Sequence, residues 1–314
     1  YLVTSDFLRN LQPWAFQGGY PVLWSQYEVA IPDFFAYVFL SQGTFPLEHT
    51  LESSRETYNI LDQSSAGSSD RYTIPAVLAR HKWVAKNAPA LKTESFTSTI
   101  RNHISRIEFQ LSQYRFPNTL VQDIMGNWSK MATDLMKYED FGQDLNKNNN
   151  WLDDEMKEIT QGVNGQLEKT KKIYAYIRDR FTCTGNQSFW LSASLKTIDK
   201  NKNGYTADIN LLLTAMLKHE KIEAYPVLLS TRDHGYTNEL YPLLNRFNYV
   251  ICAAKIDNKI YYLDASDPSL GFNHLPDECY NGHARMITND NAFSVYFNPD
   301  SLIEKKLTTV FLHS

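Results

Sequence analysis

The sequence predicts an α+β protein in which an antiparallel β-rich domain precedes a mixed domain built around a buried helix. The chain has 314 residues, which exceeds one ordinary domain and is too few for three large ones. Residues 20–42 are rich in aromatic residues and valine and show no sustained helical period, as expected of strands. Helical periodicity begins only near Trp128. Together these observations place a β-rich domain before a helical region.

The composition excludes several classes of protein. Hydrophobic residues make up 43% and charged residues 21%, which is typical of a chain that buries a substantial core. The formal net charge of -4 is spread along the chain, so we expect no nucleic-acid partner. The longest apolar runs, residues 31–40 and 209–217, are shorter than the roughly 20 residues that span a bilayer, so we expect no membrane span. The chain begins at Tyr1 with no signal-peptide pattern, which indicates a processed or trimmed chain.

The first domain is predicted to be antiparallel and sandwich-like, and to occupy residues 1–118. Strands are predicted within residues 20–42, 81–85 and 97–111, where apolar and polar residues partly alternate. The aromatic residues at its start favour core packing, with a sugar-stacking surface as the alternative. This aromatic set is Trp14, Phe16, Tyr20, Trp24, Tyr27, Phe34, Phe35 and Tyr37.

A helical connector is predicted over residues 119–165, with one helix near residues 128–136 and another over 151–160. The second domain is predicted over residues 166–290 and begins with a helix over 167–181. A helix after Gly204 is apolar nearly all round and should therefore be buried. Strands are predicted over 224–229, 247–256 and 259–264, the last two joined by the turn Asp257-Asn258. Residues 291–314 form a tail or begin a further β element.

Three segments of the second domain, taken in chain order, carry candidate catalytic side chains. They read Gly-Tyr-Thr-Ala-Asp at 204–208, Arg-Phe-Asn-Tyr-Val-Ile at 246–251 and Tyr-Tyr-Leu-Asp-Ala at 261–265. Thiol acyl-transferases place their nucleophile at a helix N-terminus, where the helix dipole lowers the thiol pKa, and take the base and its orienting residue from following strands. The order and spacing of the segments resemble those of the transglutaminase-like superfamily. Residues 14–30 also resemble a β-rich domain of unknown function that precedes this domain in bacterial proteins.

The resemblance implies a papain-like fold and a catalytic triad at three positions. Thr206 occupies the position of the catalytic cysteine, Tyr249 that of the histidine and Asp264 that of the orienting aspartate. A threonine hydroxyl needs a positioned base, and a neutral tyrosine, with a pKa of about 10, is a poor one. The resemblance therefore predicts a non-catalytic protein that binds a peptide, protein or glycan, or acts as a scaffold. It further implies a bacterial envelope protein, periplasmic in location, with no cofactor; the oligomeric state is open.

Two alternatives remain open. The first is an active thiol hydrolase or acyl-transferase that uses another nucleophile. It would need Cys183 or Cys252, paired with one of four histidines. These are His219, His234, His274 and His283. Cys252 lies in an apolar strand and favours a core position.

The second alternative is a calcium-stabilised structural domain. Residues 199–204 match the first half of an EF-hand loop, but position twelve is Asn210 instead of glutamate. Asp144 and Glu155 fit positions one and twelve of a second loop, in which Asn149 replaces the turn glycine. Polar loops before helices are the preferred interpretation of both segments, and no metal site is predicted.

Overall fold

The computed structural model describes residues 11–65, 68–94, 97–185, 188–301 and 308–310. The chain divides into two compact units, residues 1–126 and 127–314. No helix in the described part of the chain is both long and apolar enough to cross a membrane. The remainder of the predicted tail, 302–307 and 311–314, lies outside the described residues.

The first unit consists of antiparallel sheets. Its strands are β1 (Trp14–Ala15), β2 (Val22–Pro32), β3 (Phe35–Gln42), β4 (Glu48–Ser65), β5 (Ser68–Ala88), β6 (Arg106–Tyr114) and β7 (Gln122–Asp123). One sheet has the order β2-β5-β4, and the other has the order β1-β6-β3 with β7 also on β6. Side chains from both sheets meet in the core, where the rings of Phe39 and Trp83 lie 5.5 Å apart. This arrangement is sandwich-like, as predicted.

The aromatic set of the first unit divides between core and surface. Phe16 is fully buried, and Tyr27 stacks on Phe109 with ring centroids 5.3 Å apart. Tyr20 and Trp24 are 84% and 56% exposed. Core packing therefore accounts for only part of the set. Residues 100–102 form a 3-10 helix, so the predicted strand over 97–111 in fact begins at Arg106.

The second unit packs five α-helices, counted over the described residues, with one main sheet. The helices are α1 (Trp128–Leu135), α2 (Asp153–Ile159), α3 (Gln166–Arg180), α4 (Leu195–Asn201) and α5 (Thr206–His219). The strands are β8 (Thr182–Cys183), β9 (Asn203–Gly204), β10 (Glu223–Leu229), β11 (Tyr249–Ile256), β12 (Lys259–Leu263), β13 (Gly282–Ile287) and β14 (Ala292–Phe297). The last five form an antiparallel sheet of order β12-β11-β10-β13-β14. Helix α5 packs on this sheet, and its residues 206–217 are all buried.

The structure differs from the sequence-based divisions in three places. Residues 127–165, predicted as a connector, belong to the second unit, and Leu135, Phe141 and Met156 are fully buried in its core. Strand β14 pairs with β13, so the main sheet extends past residue 290. Helix α4 extends over residues 199–201, the start of a segment predicted as a polar loop. It begins after Ser194, whose hydroxyl accepts a hydrogen bond from the amide of Thr197.

Candidate functional site

The start of α5 is fixed by a glycine and an aspartate that lie four residues apart. A Cβ atom on Gly204 would lie only 2.6 Å from the Cβ of Asp208, so this close approach requires glycine. The Asp208 carboxylate accepts hydrogen bonds from the amide of Tyr205 at 2.7 Å and from the amide and hydroxyl of Ser192 at 2.8 and 2.7 Å. A carboxylate in the first turn also interacts favourably with the helix dipole. The Gly-x-x-x-Asp spacing therefore sets where the helix begins.

Thr206, the first residue of α5, contacts residues 182–185, which begin with β8 and are called the β8 segment. The two short strands β8 and β9 pair in parallel, which sets Cys183 beside Gly204. The Thr206 amide donates to the carbonyl of Gly185 at 2.8 Å, and its hydroxyl lies 3.4 Å from the same carbonyl oxygen. The half-buried Cys183 thiol lies 3.5 Å from the Thr206 hydroxyl oxygen. Position 206, the predicted nucleophile position, thus holds a buried hydroxyl with a thiol as its neighbour.

Tyr249 and Asp264 form a buried hydrogen-bonded pair. Tyr249 begins β11 and Asp264 follows β12; they are 2% and 0% exposed. The tyrosine hydroxyl donates to Oδ2 of Asp264 at 2.7 Å. Burial, together with the negative charge of Asp264, raises the pKa of Tyr249 far above its usual value. The phenol therefore stays protonated and acts as a donor to the carboxylate.

Two further residues complete the shell around Asp264. Oδ1 of Asp264 accepts from Nδ2 of Asn210 at 2.9 Å and from the amide and hydroxyl of Ser266 at 2.9 and 2.6 Å. Asn210 also donates to the carbonyl of Val250 and accepts from the amide of Ala265. Its role was missed from the sequence. A polar residue in an otherwise apolar buried helix was the available signal, and it was interpreted only as an unsuitable calcium ligand.

Of the three predicted triad residues, two are hydrogen-bonded to each other and the third has other partners. Tyr249 and Asp264 are in direct contact, whereas the contacts described for the Thr206 hydroxyl are to the β8 segment. Thr206 and Asn210 lie four residues apart and so share one face of α5. Asn210 in turn binds Asp264. Thr206 thus lies about one helical turn from the residue that binds Asp264, and its assignment as the nucleophile position stays a prediction.

The other two thiols, those of Cys252 and Cys279, are buried. Burial raises the pKa of Cys252 to about 12, and the pKa of Cys279 lies well above its usual range because of burial and the charge of Asp264. A buried thiol with a raised pKa forms little thiolate near neutral pH. These two cysteines are therefore poor nucleophiles.

The contacts described for three of the four candidate histidines involve oxygen atoms. His219 lies 2.8 Å from Asp153, His234 2.9 Å from Ser230 and His283 2.6 Å from Thr237. These distances bring each ring within hydrogen-bond range of a carboxylate or a hydroxyl. The three imidazoles thus contribute to local hydrogen bonding at separate places.

The two segments that were compared with EF-hand loops hold their acidic residues in helices and ion pairs. Asp199 lies in α4 and binds the ammonium of Lys202 at 2.6 Å, while Asn210 lies inside α5. Lys202 also binds Glu155 at 2.6 Å, so the carboxylate at position twelve of the second segment is already paired with a cation. Within the described residues, no group of three or more His, Cys, Asp or Glu residues is arranged to hold a metal ion. A lysine cation therefore neutralises carboxylates of both segments.

Comparison with known proteins supports the fold of the second unit. The family model of the transglutaminase-like superfamily matches residues 154–261, which include α5, β10, β11 and part of β12. A search of curated proteins gave no match.

A crystal structure from Parabacteroides distasonis, described as a "putative protease", is 15% identical over 91% of this chain and 47% of that chain, with a TM-score of 0.51. A second, from Cytophaga hutchinsonii, described as a "putative cysteine protease", is 11% identical over 93% and 96% of the two chains, with a TM-score of 0.31. At these identities the likeness concerns the fold alone, and this chain spans about half the length of the first structure.

Proposed function

Because residues 154–261 match the family model of the transglutaminase-like superfamily, we propose that the chain is a non-catalytic member that binds a ligand without turning it over. The observation that carries this proposal is the hydrogen bond of 2.7 Å from the Tyr249 hydroxyl to Asp264. A general base must be able to accept a proton near the working pH. A protonated phenol that donates to the orienting aspartate cannot do so.

The nucleophile position supports the same conclusion. Thr206 is 1% exposed, and its hydroxyl lies against the carbonyl of Gly185, without a base among its described partners. Its backbone amide, at the positive end of the helix dipole, already donates to that carbonyl. An amide at this place would otherwise be suited to stabilising an oxyanion. The hydroxyl and the amide of Thr206 therefore both interact with the β8 segment.

The ligand of this proposal is a peptide segment of another protein. The Parabacteroides distasonis structure that this chain resembles in fold is described as a "putative protease", and a protease fold that has lost its chemistry keeps a surface shaped for an extended chain. A glycan is the competing ligand, since exposed aromatic rings also stack on sugars. Residence in the bacterial envelope belongs to the proposal and is tested by fractionation of the source cells.

One observation favours a second function, that of an active thiol enzyme. Cys183 places its sulfur 3.5 Å from the Thr206 hydroxyl, beside the N-terminus of α5, and is the least buried of the three cysteines. A thiol at a helix N-terminus is a plausible nucleophile in general, because the dipole favours its thiolate. Under this alternative, Cys183 would take over the task of the lost cysteine.

The two functions are separated by thiol labelling combined with a turnover assay. We expect iodoacetamide at neutral pH to modify Cys183 no faster than it modifies a small free thiol. We also expect casein hydrolysis by the protein to equal that of the matched Cys183→Ser variant. Fast labelling of a single cysteine, together with hydrolysis that Cys183→Ser abolishes, would overturn the proposal and establish the thiol enzyme. Melting-temperature shifts with casein peptides and with chitin oligosaccharides distinguish the two ligand classes.

A further inference from the structure

A basic pocket lies at the opposite end of α5 from Thr206. It has a volume of about 480 Å³, which lies within the range of small-molecule sites. Lys218 lies eight residues, or about 12 Å along the helix axis, beyond Asn210, and no residue that lines the pocket binds Asp264 in the described contacts. Its lining comes from the end of α5 and from the segment that precedes α2. The lining residues are Leu145, Asn146, Lys147, Asn148, Asn149, Ala215, Lys218, His219, Lys221 and Asn289.

The lining carries three lysines, one histidine and four asparagines, and no carboxylate. Lys147 is neutralised from outside the pocket by Asp144, at 2.7 Å. Lys218 is half-buried, and the partner described for its ammonium is the amide oxygen of Asn146, at 3.4 Å. Lys221 has no ion pair among the described contacts. The pocket therefore holds at least two cationic groups that no carboxylate of its own lining balances.

This charge is not explained by helix stabilisation alone. Cations near a helix C-terminus do interact favourably with the dipole, but exposed lysines serve that purpose without a cavity. Burial lowers the pKa of Lys218, which means that the ammonium is held in the pocket wall at an energetic cost. An oxyanion inside the pocket would offset that cost. The asparagine side chains add amide donors that can bind the remaining oxygens of such a group.

We propose that this pocket binds a small molecule through a phosphate or sulfate group. Lysine ammonium groups bind such tetrahedral oxyanions as point charges, and the pocket volume leaves room for an organic portion. Lys218 and Lys221 provide the charge, and the asparagines Asn146 and Asn289 line the same space. The site does not depend on catalysis at Thr206 or on the peptide-binding proposal.

The test uses isothermal titration calorimetry of the full chain at constant ionic strength. Glucose 6-phosphate and glucose 6-sulfate are the two probes, and glucose is the uncharged control. We expect saturable binding of at least one charged probe and none of glucose. The double variant Lys218→Met/Lys221→Met keeps the apolar stems and should weaken binding by about tenfold or more, which corresponds to about 1.4 kcal/mol. The preferred probe identifies which oxyanion the site selects.

The matched control is the double variant Lys196→Met/Lys200→Met, which removes two exposed lysines of α4 and the same net charge. It should bind the probe as the unmodified chain does. Three results would overturn the proposal. These are no saturable binding of either probe, equal binding of glucose, or an affinity in the pocket variant that matches that of the α4 variant. Circular dichroism and the melting temperature of each variant verify that it is folded.

Discussion

At the scale of single residues, Asp264 is a carboxylate buried among four hydrogen-bond donors. Asn210, Tyr249 and Ser266 supply these donors from α5, β11 and the turn after β12. A buried charge is tolerated only when such donors replace water. In an enzyme this aspartate would orient a base, whereas here its neighbours are a phenol, an amide and a hydroxyl. These hydrogen bonds therefore connect α5 with β11 and with the turn after β12.

Tyr249→Phe should destabilise the protein by about 1 to 2 kcal/mol, because it removes one donor from a fully buried carboxylate. Urea unfolding measures the change. Tyr262→Phe is the matched control, since Tyr262 is half-buried and its hydroxyl has no hydrogen bond among those described. Equal effects of the two variants would show that the Tyr249 hydroxyl contributes nothing specific to the shell.

At the scale of elements, hydrogen bonds from a histidine and an arginine of β13 hold the long connection between β10 and β11. Thr237 binds the ring of His283, while Arg285 donates to the carbonyl of Glu239 at 2.7 Å. Arg285 also stacks over Trp128, 3.9 Å from the ring centroid. Burial, and then the nearby charge of Arg285, lower the pKa of His283 to about 4. The hydrogen bond between Thr237 and His283 therefore involves a neutral imidazole near pH 7.

The stability of the protein should consequently fall as the pH decreases from about 7 to about 4. The unfolded chain binds a proton at His283 near pH 6.5, whereas the folded chain resists doing so until about pH 4. The expected loss of unfolding free energy from this residue is about 1 to 3 kcal/mol. His283→Phe keeps the ring and should flatten the pH dependence of urea unfolding. The exposed His274→Asn is the control, and an unchanged slope in His283→Phe would contradict the assignment.

Most elements of the second unit could be predicted from periodicity and turn chemistry. The hairpin β11–β12 turns at Asp257 and Asn258, both with positive φ, as their residue types indicate. Helix α4 was missed because only Leu195 and Ile198 are buried, and polar residues after them matched a calcium loop. A seven-residue helix with two apolar positions gives too weak a period to detect. Its N-cap, Ser194, was the signal that could have revealed it.

The sequence predicts which positions form the candidate site, and that stays a prediction; it does not predict the contacts that these residues make. The residue types at 206, 249 and 264 could be aligned with a motif, and the direct contact between Tyr249 and Asp264 agrees with that alignment. The contact of Thr206 with Cys183 depends on the two-residue pairing of β8 with β9, which is too short to leave a pattern in the sequence. Likewise, Asn210 acquires its partners only when α5 packs on the sheet.

At the scale of the whole molecule, residues 154–261 of the second unit match the transglutaminase-like family model, and Thr206 and Tyr249 stand at two of the predicted triad positions. Helix α5, the antiparallel sheet and Asp264 with its donors are all in place. If the site is a dismantled triad, the missing chemistry should be restorable by side chains alone. If Thr206 and Tyr249 do not face a common space, no such restoration will follow.

The decisive variant is therefore Cys183→Ser/Thr206→Cys/Tyr249→His, compared with Cys183→Ser/Thr206→Cys. Both place a thiol at the first position of α5 and remove the neighbouring native thiol, so they differ only in the imidazole beside Asp264. An adjacent imidazole increases the thiolate fraction, and the labelling rate with iodoacetamide at pH 6.5 should rise by about tenfold or more. Mass spectrometry of the labelled peptide locates the reactive cysteine. Equal rates in the two variants would mean that residues 206 and 249 do not share a cleft, and the interpretation of this protein as a degenerate enzyme would fail.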